Sequence, residues 1–198
     1  MLVLLDRLRV AVERLGYLMG CAAGWLFVVC AFFVTADVLG RKFLGISSKA
    51  TVEVTGYMLA FGIAWGLTDA LTTRAHIRVD VLVTRLPAWV RVYMHGLALL
   101  FLVLLNIFLA WRGWAVVGES WLFWARDSSA LATPLVIPQG LWALGITVFA
   151  VLAALMLLEV MLWLALGQPE RIERLLGPRT LAEETAEALH AAGMARPT

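Results

Sequence analysis

Few residues in this chain are of a type and spacing that could do chemistry. There are three histidines and two cysteines. A membrane cytochrome needs axial histidines inside its apolar segments. His95 alone lies in one, while His76 and His190 fall in a linker and in the tail. A thiol oxidoreductase wants a reactive cysteine pair such as C-x-x-C near a surface. Cys21 and Cys30 stand nine residues apart, which on a helix places them on opposite sides, too badly aimed for a disulfide. They read as buried free thiols. No phosphate-binding loop and no HExxH pair is present, so the two commonest signatures of nucleotide and zinc chemistry are missing. The sequence predicts no enzyme, no cofactor and no metal.

The carboxylates and one arginine remain. Glu53 opens an apolar stretch, where a negative charge is favoured by the helix dipole. Arg41 closes the preceding stretch, eleven uncharged or basic residues away on the same side. An Arg41–Glu53 pair bridging two helices is the structural reading; contact with an ion or a substrate is the other. Asp37 and Asp69 sit near the ends of apolar stretches and read as solvated caps. Glu159, near the end of the last stretch, either snorkels to the surface or meets a partner. A charge inside a membrane span costs roughly 2.5–3.5 kcal/mol on insertion scales, so these few are the functional suspects.

The elements that position them follow from where charge is absent. The chain is 62% hydrophobic and 15% charged, against about a quarter charged in soluble domains. Residues 15–36, 54–68, 92–111 and 128–158 carry no Asp, Glu, Lys or Arg. About 20 apolar residues cross the hydrocarbon as a helix, and Pro134 and Pro138 divide the last run into a loop and a helix starting near Gln139. The expected fold is all-α and integral to the membrane, with four transmembrane helices at about 15–38, 50–71, 88–111 and 139–165. The first run is too long for the apolar core of a cleaved signal peptide and reads as an uncleaved anchor.

Residues 1–14 form an amphipathic helix, with Asp6, Arg7, Arg9, Glu13 and Arg14 opposite Leu4, Leu5, Leu8 and Val12. Such a helix would lie in the interface before turning into the first span, or pack on a partner subunit. Gly16, Gly20 and Gly24 in the first span, and Gly62 and Gly66 in the second, make small-xxx-small series that let helices approach closely. Glycine is also simply common in such helices.

Residues 74–91 make a basic linker. His76–Val81 alternates polar and apolar, but a lone strand has no partner for its edge, so a short interfacial helix is preferred. Trp111, Trp114, Trp121 and Trp124 belong at headgroup level, with residues 112–127 as a helix along the outer surface and 128–138 as extended chain. Residues 167–198 form a polar, partly helical tail.

One stretch carries a resemblance. It runs R41-K-F-L-G, E53-V-T-G-Y-M, G66-L-T-D-A-L-T-T-R-A-H76-I-R-V-D80-V-L-V-T-R-L-P87, with Ser129, Leu131, Pro134 and Pro138 before the last span. In order and spacing this resembles the DctQ family, the small membrane subunits of tripartite ATP-independent periplasmic (TRAP) transporters, over roughly residues 15–165. The resemblance implies interface positions at Arg41, Glu53, Gly66, His76, Arg78 and Asp80. It further implies a large membrane subunit carrying the substrate and sodium sites, a periplasmic substrate-binding protein, and uptake of organic acids driven by sodium. The subunit would enlarge the static scaffold of the transporter in the bacterial inner membrane, with the bilayer and these proteins, not nucleic acid, as its partners. The alternatives are an anchor subunit of another membrane complex and a homo-oligomeric channel or carrier.

Orientation is set by Lys and Arg, which collect on cytoplasmic flanks. With both termini inside, eleven basic residues are cytoplasmic and five (Arg41, Lys42, Lys49, Arg112 and Arg126) are not. Reporter fusions after Leu86 and in the tail should therefore read cytoplasmic, and one near Ser120 periplasmic. The reverse pattern would overturn this orientation.

Overall fold

The computed structural model describes residues 2–46, 48–73, 87–129, 131–168 and 171–172, together with Leu175, Thr185 and Leu189. It contains four long helices: α1 (Leu2–Phe43), α2 (Thr51–Thr72), α3 (Ala88–Leu122) and α4 (Val136–Ala165). All four are long and apolar enough to cross a membrane, and no strand occurs among the described residues. His76, Arg78 and Asp80 lie outside the described residues.

Helix α1 is continuous over 42 residues, so the expected turn between the amphipathic segment and the first span does not occur. Its rise of about 1.5 Å per residue makes it roughly 63 Å long, twice the hydrocarbon thickness. No proline interrupts it, and Arg9 pairs with Glu13 one turn on, Nε to Oε1 3.6 Å. Val12 packs against the core built around α4. The segment is thus held by bundle contacts and need not bend into the interface. Helix α3 likewise runs on to Leu122, where a separate surface helix is expected from the tryptophans. Helix α4 starts at Val136, before the expected Gln139, because Pro138 falls in its first turn, where a missing N–H breaks no bond.

The helices alternate in direction. One end of the bundle gathers the start of α1, the end of α2, the start of α3 and the end of α4. The other gathers the α1–α2 turn and the α3–α4 loop. Helix α4 is central, touching α1, α2 and α3. Phe149, Leu152, Ala153, Met156 and Val160 of α4 are at most 4% exposed, packed with Leu99 and Val103 of α3 and Leu71 of α2. Ile172, beyond α4, is fully buried in the same cluster. Ile172 and Leu175 of the expected polar tail therefore pack on the core.

Lipid is as apolar as leucine, so close packing rather than water exclusion holds such helices together. Glycine supplies it at particular places. A Cβ on Gly16 would collide with Thr68, and one on Gly20 would lie 2.9 Å from Cβ of Asp69. One on Gly62 would lie 3.0 Å from Phe27. These three seat α1 on α2. Gly24 and Gly66 meet nothing within 4 Å, so the expected series does not act as one face within this chain.

The closest approach to the backbone of a neighbouring helix, among the described glycines, was not singled out in the sequence. A Cβ on Gly145 of α4 would lie 2.9 Å from the carbonyl carbon of Ala64 and 2.7 Å from Trp65 Cδ1. Backbone cannot give way as a side chain can. Gly145→Ala should therefore destabilise the protein by about 1–3 kcal/mol, the usual cost of overpacking. Gly24→Ala should be neutral or stabilising by up to about 1 kcal/mol through helix propensity. Thermal unfolding in detergent measures both; equal effects would refute the close approach.

Candidate functional site

Three polar clamps join the helices, two at the loop end and one at the opposite end. The first closes the α1–α2 turn. Asp37 lies 11 residues before Ser48, and the turn at Gly45, with φ of +67°, folds the chain back upon it. Its Oδ1 accepts the Ser48 backbone N–H at 2.6 Å, and its Oδ2 accepts from Arg41 Nη2 at 2.7 Å. Thr51 donates its hydroxyl to the Ser48 carbonyl at 3.0 Å. The Asp37 side chain is 3% exposed, that of Arg41 61%. Asp37 is thus a buried organiser of the turn, not the solvated cap expected.

Arg41 accordingly does not pair with Glu53. The expected bridge fails because the carboxylate one turn back on its own helix is closer and already aligned, an i,i+4 arrangement that helix geometry favours. Glu53 turns the other way, toward the α3–α4 loop.

The second clamp lies there. Ser129 donates its hydroxyl to Glu53 Oε2, and the Thr133 hydroxyl also stands against the carboxylate. Glu53 Oε1 is buried without a hydrogen-bond partner. One turn further along α2, the Tyr57 hydroxyl donates to Asp127 Oδ2 at 2.6 Å. The loop itself is tight. Asp127 N–H donates to the Thr133 carbonyl at 3.0 Å, and Leu135 N–H to Ala125 at 3.1 Å. Arg126 and Pro134 form an isolated bridge, and Arg126 Nη1 donates to the Ala132 carbonyl at 3.3 Å. Two non-glycine residues adopt left-handed backbone, Trp124 at φ 51° and Ala132 at φ 47°. Each costs about 1–3 kcal/mol and persists only where surrounding contacts over-determine the loop. The four side chains Glu53, Tyr57, Asp127 and Ser129 are those contacts. The expected extended passage through 128–138 is therefore a folded turn.

The third clamp sits at the other end. Arg9 Nη1 of α1 lies 3.3 Å from Glu159 Oε2 of α4, whose side chain is 5% exposed. Glu159 neither snorkels nor waits for another chain; its partner is the amphipathic segment.

Two further contacts tie α4 to its neighbours along its length. Trp65 Nε1 donates to the Leu141 carbonyl at 2.9 Å, and Trp114 Nε1 to the Thr147 hydroxyl at 2.9 Å. Asn106, buried within α3, donates to its own helix at Leu102. Among the described residues no three His, Cys, Asp or Glu side chains gather as a metal site would require.

The two loop-end clamps lie within residues 37–133 of a four-helix membrane bundle, inside the stretch that comparison identifies. A family model for the DctQ component of tripartite ATP-independent periplasmic transporters matches residues 30–163. The chain belongs to the DctQ family. No curated protein and no solved structure matches it. The family match takes in Asp37, Arg41, Glu53, Tyr57, Asp127 and Glu159, and leaves Arg9 outside. A DctQ protein is a transporter component, so the clamps are to be understood as parts of a multi-pass membrane subunit.

Sequence reasoning found Glu53 and Arg41 but joined them wrongly, and it missed Tyr57, Asp127 and Arg9 as clamp partners. Tyr57 follows Glu53 by one turn, which puts both on one helical face; that was the available signal. A double-mutant cycle separates the two pairings. Arg41→Ala with Glu53→Ala should show coupling near zero. Tyr57→Phe alone should cost about 1.5–3 kcal/mol, as for a hydrogen bond to a charged group, and should be non-additive with Asp127→Asn. Thermal unfolding of the four variants and their doubles gives both couplings, and a strong Arg41–Glu53 coupling would refute this geometry.

Proposed function

We propose that this chain, as the small membrane subunit of a TRAP transporter, enlarges the fixed scaffold against which the large subunit's transport domain moves. The transporter would take up organic acids of the dicarboxylate kind, delivered by a periplasmic binding protein and driven by a sodium gradient, across a bacterial inner membrane. The observation that carries the scaffolding role is where the polar groups go. Asp37, Glu53, Asp127 and Glu159 each bond to residues of the same chain at the ends of the bundle. The middle of α4 is packed with apolar side chains. Transport sites are usually built from unwound, polar crossings at mid-membrane, whereas α1 to α4 are unbroken helices. Function then rests on rigidity and on outward faces.

Those faces are large and apolar. Trp25 and Phe32 of α1 and Phe101 and Phe108 of α3 are more than half exposed, which suits lipid or the large subunit. With both termini cytoplasmic, the Glu53–Asp127 clamp faces the periplasm, on the side where a binding protein would arrive. Trp121 and Trp124, stacked at 6.0 Å, would sit at the outer headgroup level.

Co-expression tests the proposal. Vesicles holding this chain with its large subunit and binding protein should accumulate an organic acid when a sodium gradient is imposed and without ATP. Vesicles lacking this chain should lose uptake and most of the assembled large subunit. Flux by this chain alone in liposomes, or haem or quinone bound to it on purification, would overturn the assignment.

A further inference from the structure

An open groove of about 630 Å³ runs between α1 and α2 at the end where α1 begins. It is built partly on residues 10–18, which precede the family match. Its charged side chains among the described residues are Glu13, Arg14 and Asp69, and Tyr17 and Leu18 form its exposed wall. Tyr17 is 61% and Leu18 64% exposed.

The charges are unevenly satisfied. Glu13 leans on Arg9 at 3.6 Å, and Arg9 also serves Glu159 at 3.3 Å. One cation thus answers two carboxylates. Arg14 is exposed and forms no ion pair among the described residues. Asp69 is half-buried, pressed against Gly20 of α1. The hydroxyls of Thr72 and Thr73 donate to its main-chain carbonyl, both at 2.8 Å, and not to its carboxylate. That carboxylate accepts no hydrogen bond among the described residues. Gly20 lies five residues into the uncharged run that starts at Leu15, about 7.5 Å along the helix axis. A carboxylate at that depth, near the headgroup boundary, is poorly hydrated and wants a cation.

We infer that the groove binds a phospholipid carrying a primary ammonium headgroup, of the phosphatidylethanolamine type. Asp69 takes the ammonium, Arg14 takes the phosphate, and an acyl chain lies along Leu18 and Tyr17. The charge pattern selects this class. Among the described residues the groove is lined by two carboxylates and one arginine, and Asp69 is the carboxylate with no cation beside it, which disfavours a purely anionic lipid. A quaternary ammonium could not donate hydrogen bonds to Asp69, whereas a primary one can donate three. The site rests on the helices lying in a membrane and is independent of what the transporter carries.

The test uses the full-length chain, alone and with its large subunit, stripped of lipid and titrated with matched phosphatidylethanolamine, phosphatidylcholine and phosphatidylglycerol while bound lipid is counted by native mass spectrometry. Wild type should retain phosphatidylethanolamine several-fold better than the other two. Asp69→Asn should bring it down to the phosphatidylcholine level. Arg14→Gln should weaken all three. Leu18→Trp, on an exposed position that folding does not use, should displace the lipid by filling the groove. Equal retention of the three headgroups would overturn the site, as would an undiminished preference in Asp69→Asn or Leu18→Trp. So would an assembled complex in which the large subunit covers Tyr17 and Leu18 and no phosphatidylethanolamine is retained.

Discussion

Hydrocarbon offers no hydrogen bonds, and a polar group in it must find its partner within the protein or be carried to the surface. Every feature of this bundle depends on that constraint. Backbone groups are satisfied by making each crossing a single unbroken helix. Four carboxylates are pushed to the ends and bonded there. Asp37 closes a turn, Glu53 and Asp127 hold a loop through Ser129 and Tyr57, and Glu159 takes Arg9. Removing one member of such a pair leaves the other uncompensated, which costs more than losing both. The clamps therefore act less as sources of stability than as determinants of which ends meet.

What is left between the ends must cohere without water to drive it. Cohesion comes from van der Waals contact, which falls off steeply with separation. That gives α4 its character. Its middle is lined by Phe149, Leu152 and Met156, while Gly145 lets the backbone of α2 come within contact distance. A larger residue there would part the helices and loosen contacts along both. The indole N–H groups of Trp65 and Trp114 then fix the axial position of α4 against α2 and α3. Apolar packing alone would permit sliding; these directed bonds do not.

The architecture was legible because it follows from charge depletion, a property that accumulates over 20 residues and tolerates local error. The clamps were not, because each is decided by one side chain choosing among several partners. Arg41 has Asp37 behind it on its own helix and Glu53 across a turn, and sequence reasoning pairs it with Glu53, with Asp37 as a solvated cap. The structure chooses Asp37 because Gly45 turns the chain so that Ser48 also reaches that carboxylate. Residues 2–14 were misread for a related reason. The apolar stripe suits an interface or a neighbouring helix, but in the structure Leu8 of that stripe stays exposed, Val12 packs on the core, and Arg9 of the polar side reaches Glu159 of α4. Gly145 carried no signal at all, since a single glycine in an apolar helix looks like any other.

The two ends differ in a way that bears on how such a subunit works. At the loop end, left-handed residues at 124 and 132 are held in place by side chains from α2, so the α2–α3–α4 arrangement is over-determined there. At the other end α1 overhangs α2 and is tied to α4 by one arginine shared between two carboxylates. A body over-determined at its loop end resists shear there, while the overhanging start of α1 is held through Arg9, Glu159 and Val12. For the proposed scaffold role this division is useful. The firm end can bear on a partner at the membrane surface without deforming. The overhanging end can settle against lipid and the neighbouring subunit after the bundle has formed.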